Sequence, residues 1–141
     1  SVGTAGSLRG AAEGLRRRKP GVGIVAVEPS ESAVLSGGPT GSHKIDGVGA
    51  GFVVPLWRSG LADQIERVST EEAKEMAARL AREEGILCGI SCGAATAAAL
   101  RWAHKPEHAG KTIVVILPDS GERYLSSALF EGLFDASGQP V

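Results

Sequence analysis

Short β-branched runs that alternate with helical periods constrain this chain more than any other feature. "VGIVAVEP", Val22 to Pro29, is an apolar run closed by proline, the pattern of a buried parallel strand. A brief strand is expected around Ile65 to Val68 after a short helical turn, and Ile113 to Leu117 is the clearest strand of the sequence. Leu8, Ala11, Ala12 and Leu15 recur at helical spacing, and Pro20 and Gly21 stop that helix near Arg18. "STEEAKEMAARLAREEG" predicts a helix capped by Ser69 or Thr70, with Ala73, Met76, Ala77 and Leu80 facing inward and Gly85 as the stop. A helix from about Gly93 to His104 and a closing helix over "RYLSSALF" complete the alternation. Pro29 to Gly51 has no period and reads as a long functional loop. The fold class is therefore α/β, a parallel sheet flanked by helices on both faces.

Composition narrows the function. A chain of 141 residues, 43% apolar and 22% charged, is one ordinary domain with a core, neither disordered nor membrane-like. The net charge of -1 gives no reason to expect nucleic acid or an acidic membrane as partner. Arg16, Arg17, Arg18 and Lys19 read as the solvated last turn of a helix, where cations suit the dipole. Cys88 and Cys92 lack the second ligand pair a structural zinc site needs and read as small buried hydrophobes, so no metal is expected. Sparse cysteine, no leader and no bilayer-length apolar stretch make the cytoplasm the expected setting. The opening "SVGTAGSLRG" has no methionine and no strand ahead of its glycine loop, as expected of a piece of a longer protein.

Three turns could carry chemistry. "GTAGS", Gly3 to Ser7, opens a helix, and free N–H groups with the hydroxyls of Thr4 and Ser7 form either a phosphate cradle or an ordinary N-cap. No lysine follows as in a P-loop, and no GxGxxG is present. Ser91, in "GISCG", stands at the mouth of a second helix, where it caps that helix or reaches a ligand at the sheet edge. A nucleophilic serine is disfavoured, because His104 and His108 flank a surface turn and His43 lies in the long loop. Asp119 and Ser120 follow the best strand, which places them beside the crevice of an α/β sheet; Asp119 has the alternative of capping the next helix.

"GTAGS", "HKIDGVGAGF", "EEGILCGISCGAA" and "IVVILPDSGERYLSSALF" occur in this order in the cysteine synthases, or O-acetylserine sulfhydrylases. The chain resembles that family from Gly3 to about Phe134. Cystathionine β-synthases share several of the motifs, so the broader group is the β-replacing enzymes of the tryptophan-synthase-β type. The resemblance implies pyridoxal 5′-phosphate (PLP) as cofactor and the large C-terminal domain, incomplete, of a fold type II PLP enzyme. It assigns the family's "GTGGT" phosphate loop to Gly3, Thr4, Ala5, Gly6 and Ser7. Ser7 keeps a hydroxyl there, while Ala5 adds a methyl group. It makes Ser91 the partner of the pyridine nitrogen and Gly47, Gly49, Ala50 and Gly51 the flexible substrate segment. Asp119 and Ser120 would support the site from behind.

The same resemblance implies that the Schiff-base lysine, an asparagine beside the PLP 3′-oxygen and the substrate-carboxylate loop belong to an N-terminal half. None of Lys19, Lys44, Lys74, Lys105 or Lys111 stands in that lysine's motif. Residues 1–141 are thus expected to be the C-terminal cofactor-binding portion of a cysteine synthase, inactive alone and with no catalytic residue of its own. The complete enzyme would make L-cysteine from O-acetyl-L-serine and sulfide, as a homodimer able to bind the serine acetyltransferase C-terminal tail. The alternatives are a cystathionine β-synthase-like or O-phosphoserine-dependent enzyme, or a non-catalytic binding module.

Overall fold

The structure is a computed structural model that describes residues 1–127, 129–132 and 137. Helix α1 spans Gly6–Arg18, strand β1 Val25–Pro29, strand β2 Gln64–Val68, helix α2 Thr70–Glu84 and helix α3 Ile90–Ala103. The two strands pair in parallel, with Val25 opposite Gln64 and Pro29 opposite Val68. A parallel pair needs a long crossover, which here is the non-periodic stretch predicted as a loop; it holds only two short 3-10 turns, Ser30–Ser32 and Val34–Ser36.

The period-2 alternation of β1 sorts the core into two layers. Val27 joins Val68, Ala73, Ile90, Ala94 and Ala97 on the side of α2 and α3. Ala26 joins Ala5, Ala12, Ile24, Val54 and Leu61 on the side of α1. Helices thus cover both faces, as the α/β expectation requires. The caps of α2 follow its sequence: the Ser69 hydroxyl accepts the Glu72 N–H at 3.2 Å, and Gly85 ends the helix at φ 69. Small residues let α3 lie close to α2, closest at Gly93, where a Cβ would collide with the Ala73 carbonyl oxygen and stand 2.7 Å from the Ala77 nitrogen. Both cysteines are buried free thiols, as expected of small hydrophobes, and burial pushes Cys88 up to about 12.

Four expectations are corrected. Ile113 to Leu117 runs without helix or strand structure, because no described segment lies beside it to complete a ladder; Val114 is 84% exposed, while Leu117 packs against Cys88 and Cys92. The closing helix is a 3-10 turn, Gly121–Tyr124, followed by turns, and Ala128 lies outside the described residues. A segment that short gains helix only by packing an apolar face, and Leu125 is exposed. Leu15 is half exposed, since α1 meets the core through Leu8 and Ala12. The helical turn ahead of β2 is a single turn closed by the Leu61 N–H on the Arg58 carbonyl, 3.1 Å.

The α1 side is tied to β2 by Asp63, which accepts the Ile24 N–H at 2.7 Å and the Arg16 guanidinium at 3.0 Å. The Ile24 amide first, then Arg16, holds its carboxyl below the usual aspartate range. A depressed folded value means that the stability it contributes is complete above the unfolded value of ~4 and is lost as pH falls through the folded one. Asp63→Asn is expected to lower the urea midpoint at neutral pH and to make its decline in acid shallower. Parallel acid limbs for variant and wild type would contradict this.

Candidate functional site

The first glycine turn is fixed from both sides. Val2 donates its N–H to the Val27 carbonyl at 2.9 Å and accepts the Gly49 N–H at 3.1 Å, which joins the chain ahead of "GTAGS" to β1 and to "GVGAG". Gly3 lies so near Gly47 that a Cβ would collide with the Gly47 carbonyl oxygen. Ala5 is the N-cap of α1 at φ 66 and offers no side-chain cap, so "GTAGS" is not an ordinary capped start. The left-handed backbone costs an alanine about 1–2 kcal/mol. Burial of its methyl group among Val2, Ile24 and Ala26 returns about 0.8 kcal/mol, so alanine keeps a glycine-type turn at small cost.

The open side of this turn is rich in donors. The Thr4 Oγ1 accepts the Gly6 N–H at 3.3 Å, which leaves the hydroxyl proton free to donate outward. The N–H groups of Thr4, Ala5, Ser7 and Leu8 find no acceptor among the described residues. Thr4 and Ser7 are exposed. Unpaired N–H groups and hydroxyls at the positive end of a helix are the donor set a phosphate needs.

Ser91 is the second residue of α3, whose N-cap is Gly89, in extended backbone and without a side-chain cap. The helix therefore begins three residues before the expected Gly93, and Ser91 does not cap it. Ser91 is 5% exposed as a residue and its hydroxyl makes no hydrogen bond among the described residues, yet the side-chain oxygen that is both buried and unpartnered among them is the Ser32 Oγ, so the Ser91 hydroxyl keeps access to solvent. Ile90 packs with Ile45 and Val48, which sets "GISCG" against the "HKIDGVGAGF" segment.

That segment depends on its glycines. Gly47, Gly49 and Gly51 stand at φ 80, 63 and 82, where side chains are strained, while Ala50 is exposed. His43, passed over in the sequence as a residue of the long loop, spans that loop: its Nε2 donates to the Gly49 carbonyl at 2.9 Å and its Nδ1 accepts the Ile45 N–H at 3.2 Å. The structure thus brings Gly3, Gly47 and Gly49 into one junction, and Val48 packs against the core cluster that holds Ile90, the neighbour of Ser91. No hydrogen bond joins Thr4 or Ser7 to Ser91.

Asp119 and Ser120 sit at the α3 mouth. Ser120 bridges Cys88, and the Gly121 N–H donates to the Leu87 carbonyl at 3.2 Å. Asp119 caps nothing; its carboxylate accepts the Cys92 thiol at 3.3 Å and the Tyr124 hydroxyl. The hydrogen bond to Asp119, then burial, pushes Tyr124 up to about 12. Tyr124 carried no signal of this role, because the contact arises from how the 3-10 turn folds back. A cavity of about 610 Å3 opens nearby between His43, Lys44, Asp46, Leu125 and Ser127, and no predicted cofactor-binding residue lines it. Among the described residues no group of His, Cys, Asp or Glu could hold a metal ion, and no helix is long and apolar enough to cross a membrane.

An α/β unit with a donor-rich helix start and, at a second helix mouth, a hydroxyl free of protein partners among the described residues has groups that suit a phosphate-bearing ligand with a polar second end. Residues 1–119 match the family model for pyridoxal-phosphate dependent enzymes, and the chain belongs to that family. It is 49% identical over 129 residues to a cysteine synthase of Staphylococcus aureus strain Mu50, across 92% of this chain and 41% of the relative. O-acetylserine sulfhydrylase isoform 3 of Entamoeba histolytica superposes with a TM-score of 0.91 at 50% identity, over 98% of this chain and 41% of that one. A cysteine synthase of the same organism superposes with a TM-score of 0.90 at 48% identity, over 92% and 38%. The fold is that of these enzymes, and the chain spans about two fifths of their length.

Proposed function

We propose that this chain is the C-terminal, cofactor-binding portion of a cysteine synthase that makes L-cysteine from O-acetyl-L-serine and sulfide. The observation that carries the proposal is the pair of helix starts: on α1 the unpaired N–H groups with the Thr4 and Ser7 hydroxyls, and on α3 the Ser91 hydroxyl, which makes no hydrogen bond among the described residues. Unpaired N–H groups at a helix start favour an anion, and a hydroxyl with no protein partner is free to take one from a ligand. A pyridine nitrogen is such a partner, and the donors of "GTAGS" suit the phosphate of the same molecule.

The residues present therefore fit the cofactor. Thr4 and Ser7, with the N–H groups of Thr4, Ala5, Ser7 and Leu8, would hold the phosphate; Ser91 would hold the ring nitrogen. Bound there, PLP supplies the electron sink for elimination and replacement at a β-carbon. A neutral hydroxyl at the ring nitrogen does not enforce its protonation as a carboxylate would, which favours β-replacement over transamination. Gly47, Gly49, Ala50 and Gly51 would line the substrate side, held in shape by His43. The rest of the reaction machinery, a lysine bound to the cofactor above all, would come from outside these residues, and this chain alone is expected to be inactive. The complete enzyme is proposed to be a cytoplasmic homodimer that accepts the serine acetyltransferase tail.

Thr4→Ala tests the phosphate assignment. It removes one donor to a charged group, worth about 1.5–3 kcal/mol, so PLP affinity in the complete protein should fall at least tenfold. A dissociation constant within twofold of wild type, read by fluorescence titration, would remove "GTAGS" from the site.

A further inference from the structure

The Asp119 carboxylate stands against the first turn of α3 with no partner of opposite charge among its hydrogen bonds. A Cβ on Gly89, the N-cap, would lie 2.5 Å from its Oδ1 and 2.6 Å from the Tyr124 ring. The same carboxylate accepts the Cys92 thiol at 3.3 Å, on the residue after Ser91, and the Tyr124 hydroxyl from the "GERY" turn. The Asp119 carbonyl oxygen accepts the Cys92 thiol as well, at 3.5 Å. Ser120 is bridged to Cys88 just ahead of the mouth, and the Gly121 N–H to Leu87. The mouth of α3 is therefore gripped from one side by a single segment, and a negative charge at a helix N-terminus is favourable in itself.

We infer that Asp119 is a positioning residue that pins the mouth of α3 to the "GERY" turn and thereby sets the direction of the Ser91 hydroxyl. The inference rests on the reading of Ser91 as partner of the cofactor ring. A serine hydroxyl rotates freely unless its backbone and neighbours are held, and a short hydrogen bond to a ring nitrogen depends on that direction. Tyr124 anchors the carboxylate and stays protonated as its donor, since Asp119 holds the phenol up to about 12. Gly89 leaves the space in which the carboxylate meets the helix.

The test uses the complete protein reconstituted with PLP labelled with 15N in the ring, in wild type, Asp119→Asn, Tyr124→Phe, Ser91→Ala and the Asp119→Asn/Ser91→Ala pair. The ring-nitrogen resonance reports the hydrogen bond to Ser91, and thermal melting without cofactor reports the fold. Asp119→Asn and Tyr124→Phe should both move the resonance toward its position in Ser91→Ala. The double variant should match Ser91→Ala alone, because a residue acting through Ser91 has nothing left to act on. Melting that falls while the resonance stays at its wild-type position would reduce Asp119 to a structural group and overturn the inference. Should Asp119→Asn fail to fold, Tyr124→Phe, which keeps the charge and loses only the anchor, decides it by the same two outcomes. Wild type that binds no PLP, or a Ser91→Ala resonance identical to wild type, would instead overturn the reading of Ser91.

Discussion

Gly93→Ala is expected to destabilise the protein by about 2 kcal/mol or more, although alanine is the better helix former by about 1 kcal/mol. The new methyl group would be driven into the Ala73 carbonyl oxygen and would stand 2.7 Å from the Ala77 nitrogen, both backbone atoms of α2. No rotamer change relieves a clash with backbone. The two helices must separate, and with them Ala73, Ala94 and Ala97, which share one core cluster. Overpacking of a tight core costs about 1–3 kcal/mol, and a contact with rigid backbone belongs at the upper end. The gain in helix propensity is overtaken. The urea midpoint of the variant should drop with its slope unchanged. A midpoint equal to or above wild type would show that α2 and α3 are not in close backbone contact.

Ser91→Ala is expected to leave the fold intact and to slow β-replacement in the complete protein by about 5- to 30-fold. Its hydroxyl takes no part in the protein's own hydrogen bonding among the described residues, so its removal strands no donor or acceptor there. Alanine also suits the interior of a helix. The loss falls on the ligand instead, as one hydrogen bond of about 1–2 kcal/mol at the ring nitrogen. If that bond matters only while charge develops on the ring, turnover falls and PLP affinity changes little. Unchanged turnover would return Ser91 to the status of a small core residue. A lower melting temperature with unchanged turnover would point the same way.

Much of this architecture was legible in the chain itself, and each miss has its own physical cause. α1, β1, α2 and β2 announce themselves locally, through caps, glycine stops and apolar period. The "GISCG" residues read as a turn ahead of a helix from about Gly93 because glycine and serine are poor helix formers, yet they form its N-cap and first turn, where Gly89 is extended and Ser91 is buried. The strand at Ile113 to Leu117 failed for the opposite reason: its local pattern is strong, but a strand exists only when a neighbour completes its hydrogen bonds. Asp119 was expected beside the crevice from its position after a β-branched run, and the structure sets it at the mouth of α3, against Gly89. That it would accept Cys92 and Tyr124 could not be read, because the first contact spans 27 residues of chain and the second follows from how the 3-10 turn folds back. His43 was legible as part of a motif and illegible as the clasp of its loop.

The most direct test of the central claim is a titration of the complete protein with PLP, followed by visible absorbance. One equivalent should bind per chain and produce a visible band that free PLP at the same concentration lacks, with the band displaced by Ser91→Ala and the affinity lowered by Thr4→Ala. A folded complete protein that gives no such band at saturating PLP would contradict the claim and leave the glycine junction and Ser91 without the ligand proposed for them.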